Sequence, residues 1–217
     1  MKLAIIGATG NIGLTTVNEA LQRGHEVTAI VRDAKKLDIK NDKLTIGVAD
    51  VLNVDELAAV LAGHDAIVSA FNSSWTSPTM YDDFITGSKA IQQAVKQSGV
   101  KRLLVVGGAG SLEIAPGLQL VDSPDFPPEF KTGATAARDY LNILKEENDL
   151  DWTFLSPAIY LHPDSHGPRT GKYRVGTDQP VFDEKGHSFI VIEDLAVAII
   201  DELENNQFIK RRFTVAY

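Results

Sequence analysis

Short apolar runs and longer amphipathic stretches alternate along the whole chain. The runs over residues 3–6, 26–32, 44–48, 64–70, 102–106, 152–156 and 212–216 have the continuous apolar character of strands buried on both faces. Between them apolar side chains recur at helical spacing: Val17, Ala20 and Leu21, then Val54, Leu57, Ala58 and Leu61. Further helices are expected over 81–97, over about 132–148 with Ala137, Tyr140, Leu141 and Leu144 inward, and around Ala196, Ile199, Ile200 and Leu203. Gly24, Gly63 and Gly99 stand where glycine ends a helix. Strands alternating with helices demand a doubly wound α/β fold: a parallel sheet of about seven strands, helices on both faces and right-handed crossovers. The ligand crevice of such a sheet lies at the carboxyl ends of its strands, between the first and fourth, where the winding reverses.

Two stretches break the pattern. Residues 112–130 carry four prolines and suit a rim or lid over that edge. Residues 161–188, with Gly167, Gly171, Gly176, Gly186 and three prolines, suit a small substrate-side excursion within a single domain spanning 1–217.

Composition narrows the function classes. The chain has 217 residues, 44% hydrophobic and 23% charged, which suits an ordinary globular domain with a full core. A net charge of -8 argues against nucleic acid or an anionic membrane surface as partner. There is no cysteine, which excludes disulfides, thiolate metal sites and cysteine nucleophiles. No apolar run reaches the length of a signal peptide or a membrane span, so a cytoplasmic location is expected. Nothing in the pattern specifies an oligomeric state.

The chemistry begins at Leu3-Ala-Ile-Ile-Gly-Ala-Thr-Gly-Asn-Ile-Gly13. Gly7, Gly10 and Gly13 sit between the first strand and the first helix, the spacing of a Rossmann-like dinucleotide-binding turn. Gly7 permits the turn, Gly10 lets backbone approach a pyrophosphate, and Gly13 lets the helix lie close on the sheet. Thr9, Asn11 and Ile12 complete the anion-facing segment. A Walker-type phosphate loop fits poorly, since Leu14 stands where its lysine should be.

Other strand ends extend the expected cofactor site. Arg32 and then Asp33 follow the second strand, where a carboxylate would bind the ribose of NAD and an arginine the 2′-phosphate of NADP. The guanidinium arrives first, which favours NADP over NAD. Asp50 can accept from the adenine amine while Val51 covers the ring, or simply shape the turn. Ala70, Phe71 and Asn72 would lie along the ribose-nicotinamide side, with Gly107 and Gly108 leaving room for the cofactor and Pro157, Ala158 and Ile159 closing that end. Glycine turn, Arg32, Asp50, Ala70, Gly107 and Pro157 all fall on one edge of the expected sheet.

These features, with Val31-Arg32, Ala49-Asp50-Val51, Gly107-Gly108 before Ser111, and Asp151-Trp-Thr-Phe-Leu-Ser-Pro157, resemble an atypical short-chain dehydrogenase/reductase. Within that superfamily the chain is most similar to the NAD(P)H-flavin reductase branch, whose relatives include biliverdin reductase B and the NmrA-like proteins. Arg169-Thr-Gly-Lys-Tyr173, Ser188-Phe-Ile and Glu193-Asp-Leu-Ala196 extend the similarity to nearly the whole chain. The resemblance implies NADP as cofactor (NAD as the alternative) and a hydride acceptor such as a flavin or quinone. It also carries a second implication, an NmrA-like redox sensor that binds the cofactor without turnover.

One departure bears on mechanism. Typical members use a Tyr-x-x-x-Lys helix, whereas Lys145 comes at the fifth place after Tyr140. At ~100° per residue that sets the two about 140° apart around the helix, and Tyr140 lies on the apolar stripe. Tyr140 is therefore expected to pack, and alcohol oxidation and nucleotide-sugar epimerisation are disfavoured. A small planar acceptor needs mainly proximity and orientation. Ser111 is the expected catalytic hydroxyl, orienting the nicotinamide or the acceptor, with loop capping as its alternative role. Trp75, Tyr160, Arg169 and Tyr173 are expected around the acceptor. His162 and His166 are expected as exposed residues of the same pocket, not metal ligands, because Pro163 and Gly167 interrupt any helix between them. The runs Lys145-Glu-Glu and Lys210-Arg-Arg read as solvated surface.

Overall fold

The computed structural model describes residues 1–74 and 76–217. Its strands are β1 (Lys2–Ile6), β2 (Glu26–Val31), β3 (Leu44–Val48), β4 (Ala66–Ser69), β5 (Arg102–Val106), β6 (Glu113–Ala115), β7 (Leu118–Gln119), β8 (Asp151–Ser156), β9 (Arg174–Gly176) and β10 (Arg211–Ala216). The helices are α1 (Asn11–Gln22), α2 (Val54–Leu61), α3 (Met80–Ser98), α4 (Pro128–Lys145) and α5 (Ile192–Asn205).

Eight strands form one sheet in the order β3-β2-β1-β4-β5-β8-β10-β9. Seven are parallel, as expected, and β9 adds an antiparallel eighth at the edge, pairing Val175 with Val215. Leu3, Ala4 and Ile5 are fully buried because β1 is covered on both faces. Its register runs Ile5 to Ala29 on one side and to Val68 on the other, so the winding reverses between β1 and β4. One apolar layer joins Leu3, Ile5 and Val17 to Ile199 and Phe213 under α1 and α5; the other joins Ile6, Leu57, Ile91, Tyr140 and Phe154 under α2, α3 and α4.

Three local details differ from expectation. Helix α4 begins at Pro128, earlier than residue 132, because proline at the first helical turn gives up only an amide that has no helical partner. The proline-rich connection after β5 is partly ordered as the antiparallel β6-β7 pair. Two residues expected in solvated charge runs are buried: Glu147, whose carboxylate accepts from Gln92 and Lys96, and Arg212. Asn206, at a left-handed φ of 52°, ends α5 and turns the chain back toward β10.

Candidate functional site: an anion-binding edge at the strand ends

The glycine turn follows β1 directly. Gly7 has a φ of +79°, and a Cβ there would fall 2.5 Å from the Ala70 carbonyl oxygen. A Cβ on Gly13 would lie 2.1 Å from the Gly7 oxygen, so this glycine is what lets α1 seat on its own turn. Gly10 differs: its Cβ would meet only the Gly7 oxygen, at 3.4 Å. Among the described residues no other atom that could clash lies within 4 Å of that position, and Gly10 is exposed. No side chain caps α1, and the first-turn amides of a helix have no partner within it. An uncapped helix end facing an opening with exposed Thr9 and Asn11 fits a pyrophosphate, by hydrogen bonding and by the helix dipole. Asn11 also donates from Nδ2 to the Pro163 carbonyl at 2.8 Å, which ties the 161–188 excursion to the rim of this turn. Ile12 is half-buried against the α1–α5 layer and anchors the helix start.

Arg32 immediately follows β2, is exposed, and has no hydrogen bond or ion pair among the described residues. Asp33 is engaged instead: its Oδ1 accepts from the Lys35 amide at 3.0 Å and caps a short 3-10 turn. This division suits a phosphate at Arg32 better than ribose hydroxyls at Asp33. Asp50 follows β3, where Oδ1 accepts from the Leu52 amide at 2.9 Å, so it does shape its turn while the second carboxylate oxygen stays open. Val51 is half-buried beside the α2 layer.

Beyond the switch point the expected residues sort differently. The Ala70 amide donates to the Ile6 carbonyl at 3.0 Å, which holds the end of β4 against the glycine turn. The Phe71 ring covers Gly87, where a Cβ would fall 2.5 Å from it, and stacks on Phe84 with centroids 6.1 Å apart. Asn72 is exposed at the same strand end. Gly107 leaves room for protein: a Cβ would sit 1.9 Å from the Phe154 ring. A Cβ on Gly108 would make ordinary contact with Ala137 at 3.5 Å. Pro157 and Ala158 are buried at the end of β8, and half-buried Ile159 is held through its amide by Ser188 Oγ at 3.2 Å. Tyr160 stands at the rim with 52% of its surface exposed.

Three residues expected around the acceptor stand elsewhere than expected. Ser111 is 1% exposed, and its Oγ accepts from Arg212 Nη1 at 3.1 Å with Ser156 Oγ at 3.4 Å. Its hydroxyl is built into the floor and is not presented to the crevice. Arg169 grips Glu19 with two bonds of 2.6 and 2.8 Å on the flank of α1, because a buried carboxylate draws a bidentate guanidinium. Tyr173 donates to Asp201 on α5 at 2.5 Å, away from the strand ends. His162 and His166 are both exposed as expected, and His166 also pairs with Glu193 at 2.8 Å on the first turn of α5. Trp75 lies outside the described residues. Tyr140 packs as expected, 1% exposed and edge-on to Phe84, and burial raises its hydroxyl far above the ordinary range.

Sequence reasoning assigned no role to Asp194, which anchors the excursion. It is fully buried and accepts from the Thr170 and Gly171 amides, each at 2.8 Å, from Thr170 Oγ1 at 2.6 Å and from the Tyr217 hydroxyl at 2.7 Å. Burial alone would raise its pKa, but these donors hold it below the usual carboxylate value. Tyr217 is pushed up to about 12 by burial and by Asp194. The only hint was Glu193-Asp-Leu-Ala196 as a matched segment.

The geometry agrees with comparison to known proteins. Residues 7–206 match the family model described as NAD(P)H-binding. The Bacillus subtilis protein YwnB is 39% identical over 99% of this chain and 98% of its own length. A Bacteroides thetaiotaomicron structure described as a candidate epimerase is 46% identical with a TM-score of 0.92, covering 100% of this chain and 96% of that one. A Streptococcus pneumoniae structure described as a candidate NADH-flavin reductase is 40% identical with a TM-score of 0.85, covering 100% and 99%. Those two descriptions differ in chemistry but share one nucleotide-binding architecture. No helix among the described residues is long and apolar enough to cross a membrane. The chain belongs to the NAD(P)H-binding family, among the atypical short-chain dehydrogenases/reductases.

Proposed function

We propose that the protein is an NAD(P)H-dependent reductase that delivers hydride to a flavin, quinone or similar planar acceptor, with NADPH preferred over NADH. The observation that carries this reading is the uncapped start of α1 over the open side of Gly10, with unpaired Arg32 at the next strand end. The α1 amides hold the pyrophosphate, Arg32 takes the 2′-phosphate, and the open oxygen of Asp50 accepts from adenine beside Val51. The backbone of Ala70, Phe71 and Asn72 and the Pro157–Ile159 segment flank the nicotinamide end. When bound, the reduced nicotinamide supplies the hydride. The chain's own contribution is orientation and exclusion of water, since Tyr140 is inside the core and Ser111 is beneath the floor. Tyr160 at the rim offers a ring to a flat acceptor, and the acceptor's proton comes from water.

The Streptococcus pneumoniae relative supports the choice of acceptor class. Burial of Ser111 and Tyr140 also favours a second reading, an NmrA-like sensor that binds the nucleotide without turnover. Steady-state oxidation of NADPH and NADH with FMN, FAD and soluble quinones separates the two. Turnover with at least one acceptor is expected; tight binding of NADP species with no turnover across the panel leaves the sensor.

A further inference from the structure

Arg212 is seated beneath the Ser111 turn. It lies near the start of β10 with 5% of its side chain exposed. Its Nη1 donates to both the carbonyl and the hydroxyl of Ser111, and Nη2 to the carboxylate and carbonyl of Asp178 in the 161–188 excursion. Asp178 accepts through the same carbonyl from the Glu113 amide of β6 at 2.8 Å, and Gln119 of β7 donates to the Ser111 carbonyl at 3.3 Å. Three segments far apart in sequence (the Ser111 turn with its β6-β7 pair, the excursion and the last strand) thus converge on one guanidinium. Its Nε is buried without a hydrogen-bond partner among the described residues.

Resting on the reductase reading above, we propose that Arg212 is a positioning residue for the nicotinamide end of the cofactor, acting through Ser111. Because Ser111 Oγ accepts from Arg212, the hydroxyl proton points elsewhere, toward Ser156 Oγ. The same two Nη1 bonds hold the turn after Gly107 and Gly108 in one conformation, and that turn forms the floor beneath the nicotinamide. Arg212 touches neither cofactor nor acceptor in this role. Asp178, 66% exposed, is its counter-ion and links the pin to solvent.

The test is calorimetry on the full-length protein with two ligands: NADP, and 2′-phospho-ADP-ribose, which lacks the nicotinamide ring. Arg212→Met should weaken NADP about tenfold relative to the fragment. Arg212→Lys, which keeps one donor, should recover part of that loss. In a double-mutant cycle with Ser111→Ala the two changes should not add, because each removes the same link. Equal weakening of both ligands, or additive effects, would overturn the proposal and leave Arg212 a purely structural ion. Thermal melts report whether Arg212→Met folds; if it does not, the cycle is run with Arg212→Lys. Absence of turnover with the selective loss intact removes the reductase reading and keeps Arg212 in place. Failure of the wild type to bind any nicotinamide dinucleotide removes both.

Discussion

The two halves of the sheet, divided at the β1/β4 switch, are held by different kinds of contact. On the β3-β2-β1 side most of the turns are braced locally, with Asn11–Pro163 and Glu19–Arg169 as the long-range ties. The glycine turn closes on itself, Asp33 caps the next three residues, and Asp50 braces its own turn. On the β4-to-β10 side the ties cross between elements, over about a hundred positions for Arg102 and Arg212 and over 23 or 24 for Asp194. Arg102 meets Glu202 at 2.7 Å, and Arg212 meets Ser111. Asp194 gathers Thr170, Gly171 and Tyr217. The glycine-turn end is a short motif with open polar groups, while the proposed acceptor end is a network tied together across several segments. Substitutions can therefore reshape the acceptor end while leaving the nucleotide end alone.

The contrast is broken most severely at the glycine turn. Gly13→Ala should cost more than about 4 kcal/mol or prevent folding, since backbone must move to admit the methyl group. Gly10→Ala should fold and lose nucleotide affinity only, and denaturant unfolding with calorimetry distinguishes the two. At the other end, Glu202→Leu strands a buried guanidinium and should lower unfolding free energy by about 3–5 kcal/mol, part of which Arg102→Met should restore in the double variant. Arg32→Ala should weaken NADP by roughly 10- to 100-fold and leave NAD unchanged; equal affinity before and after would remove the 2′-phosphate from this position.

The smallest effect concerns acid stability. Asp194 has a folded-state pKa below its unfolded value of about 3.9. The stabilisation it supplies is complete above that unfolded value and is lost as pH falls through the lowered folded one. Asp194→Asn should therefore be less stable than wild type at neutral pH, with the gap narrowing below about pH 4 in urea melts across pH 2–7. A gap independent of pH would mean that the carboxylate charge is not what holds the excursion.

The strands and the β1/β4 crevice were legible because a parallel sheet buried on both faces writes itself as apolar runs, and a tight anion-binding turn as spaced glycines. The exposed position of Arg32 was legible because it follows directly on the apolar run of β2. The acceptor side was not. Arg169 and Tyr173 looked like pocket residues because they sit in a loop after a strand end, yet Glu19 and Asp201 draw them onto the α1 and α5 flanks. Arg212 looked like surface because it follows Lys210 and Arg211, but β10 is an inner strand, paired with β8 and β9 and buried from Arg212 onward. Ser111 was found at the right place in the chain and the wrong depth.

The sequence by itself determined the α/β winding, the glycine turn and the order of groups along the nucleotide edge, since each depends on periodicity or on contacts within a few residues. Only the tertiary structure decided which charged side chains are buried and what lies beneath the acceptor floor. A buried guanidinium or carboxylate is set by whatever partner the fold brings to it; in the Arg212–Ser111 contact that partner is 101 residues away, and in Asp194–Thr170 it comes from a different segment 24 residues before.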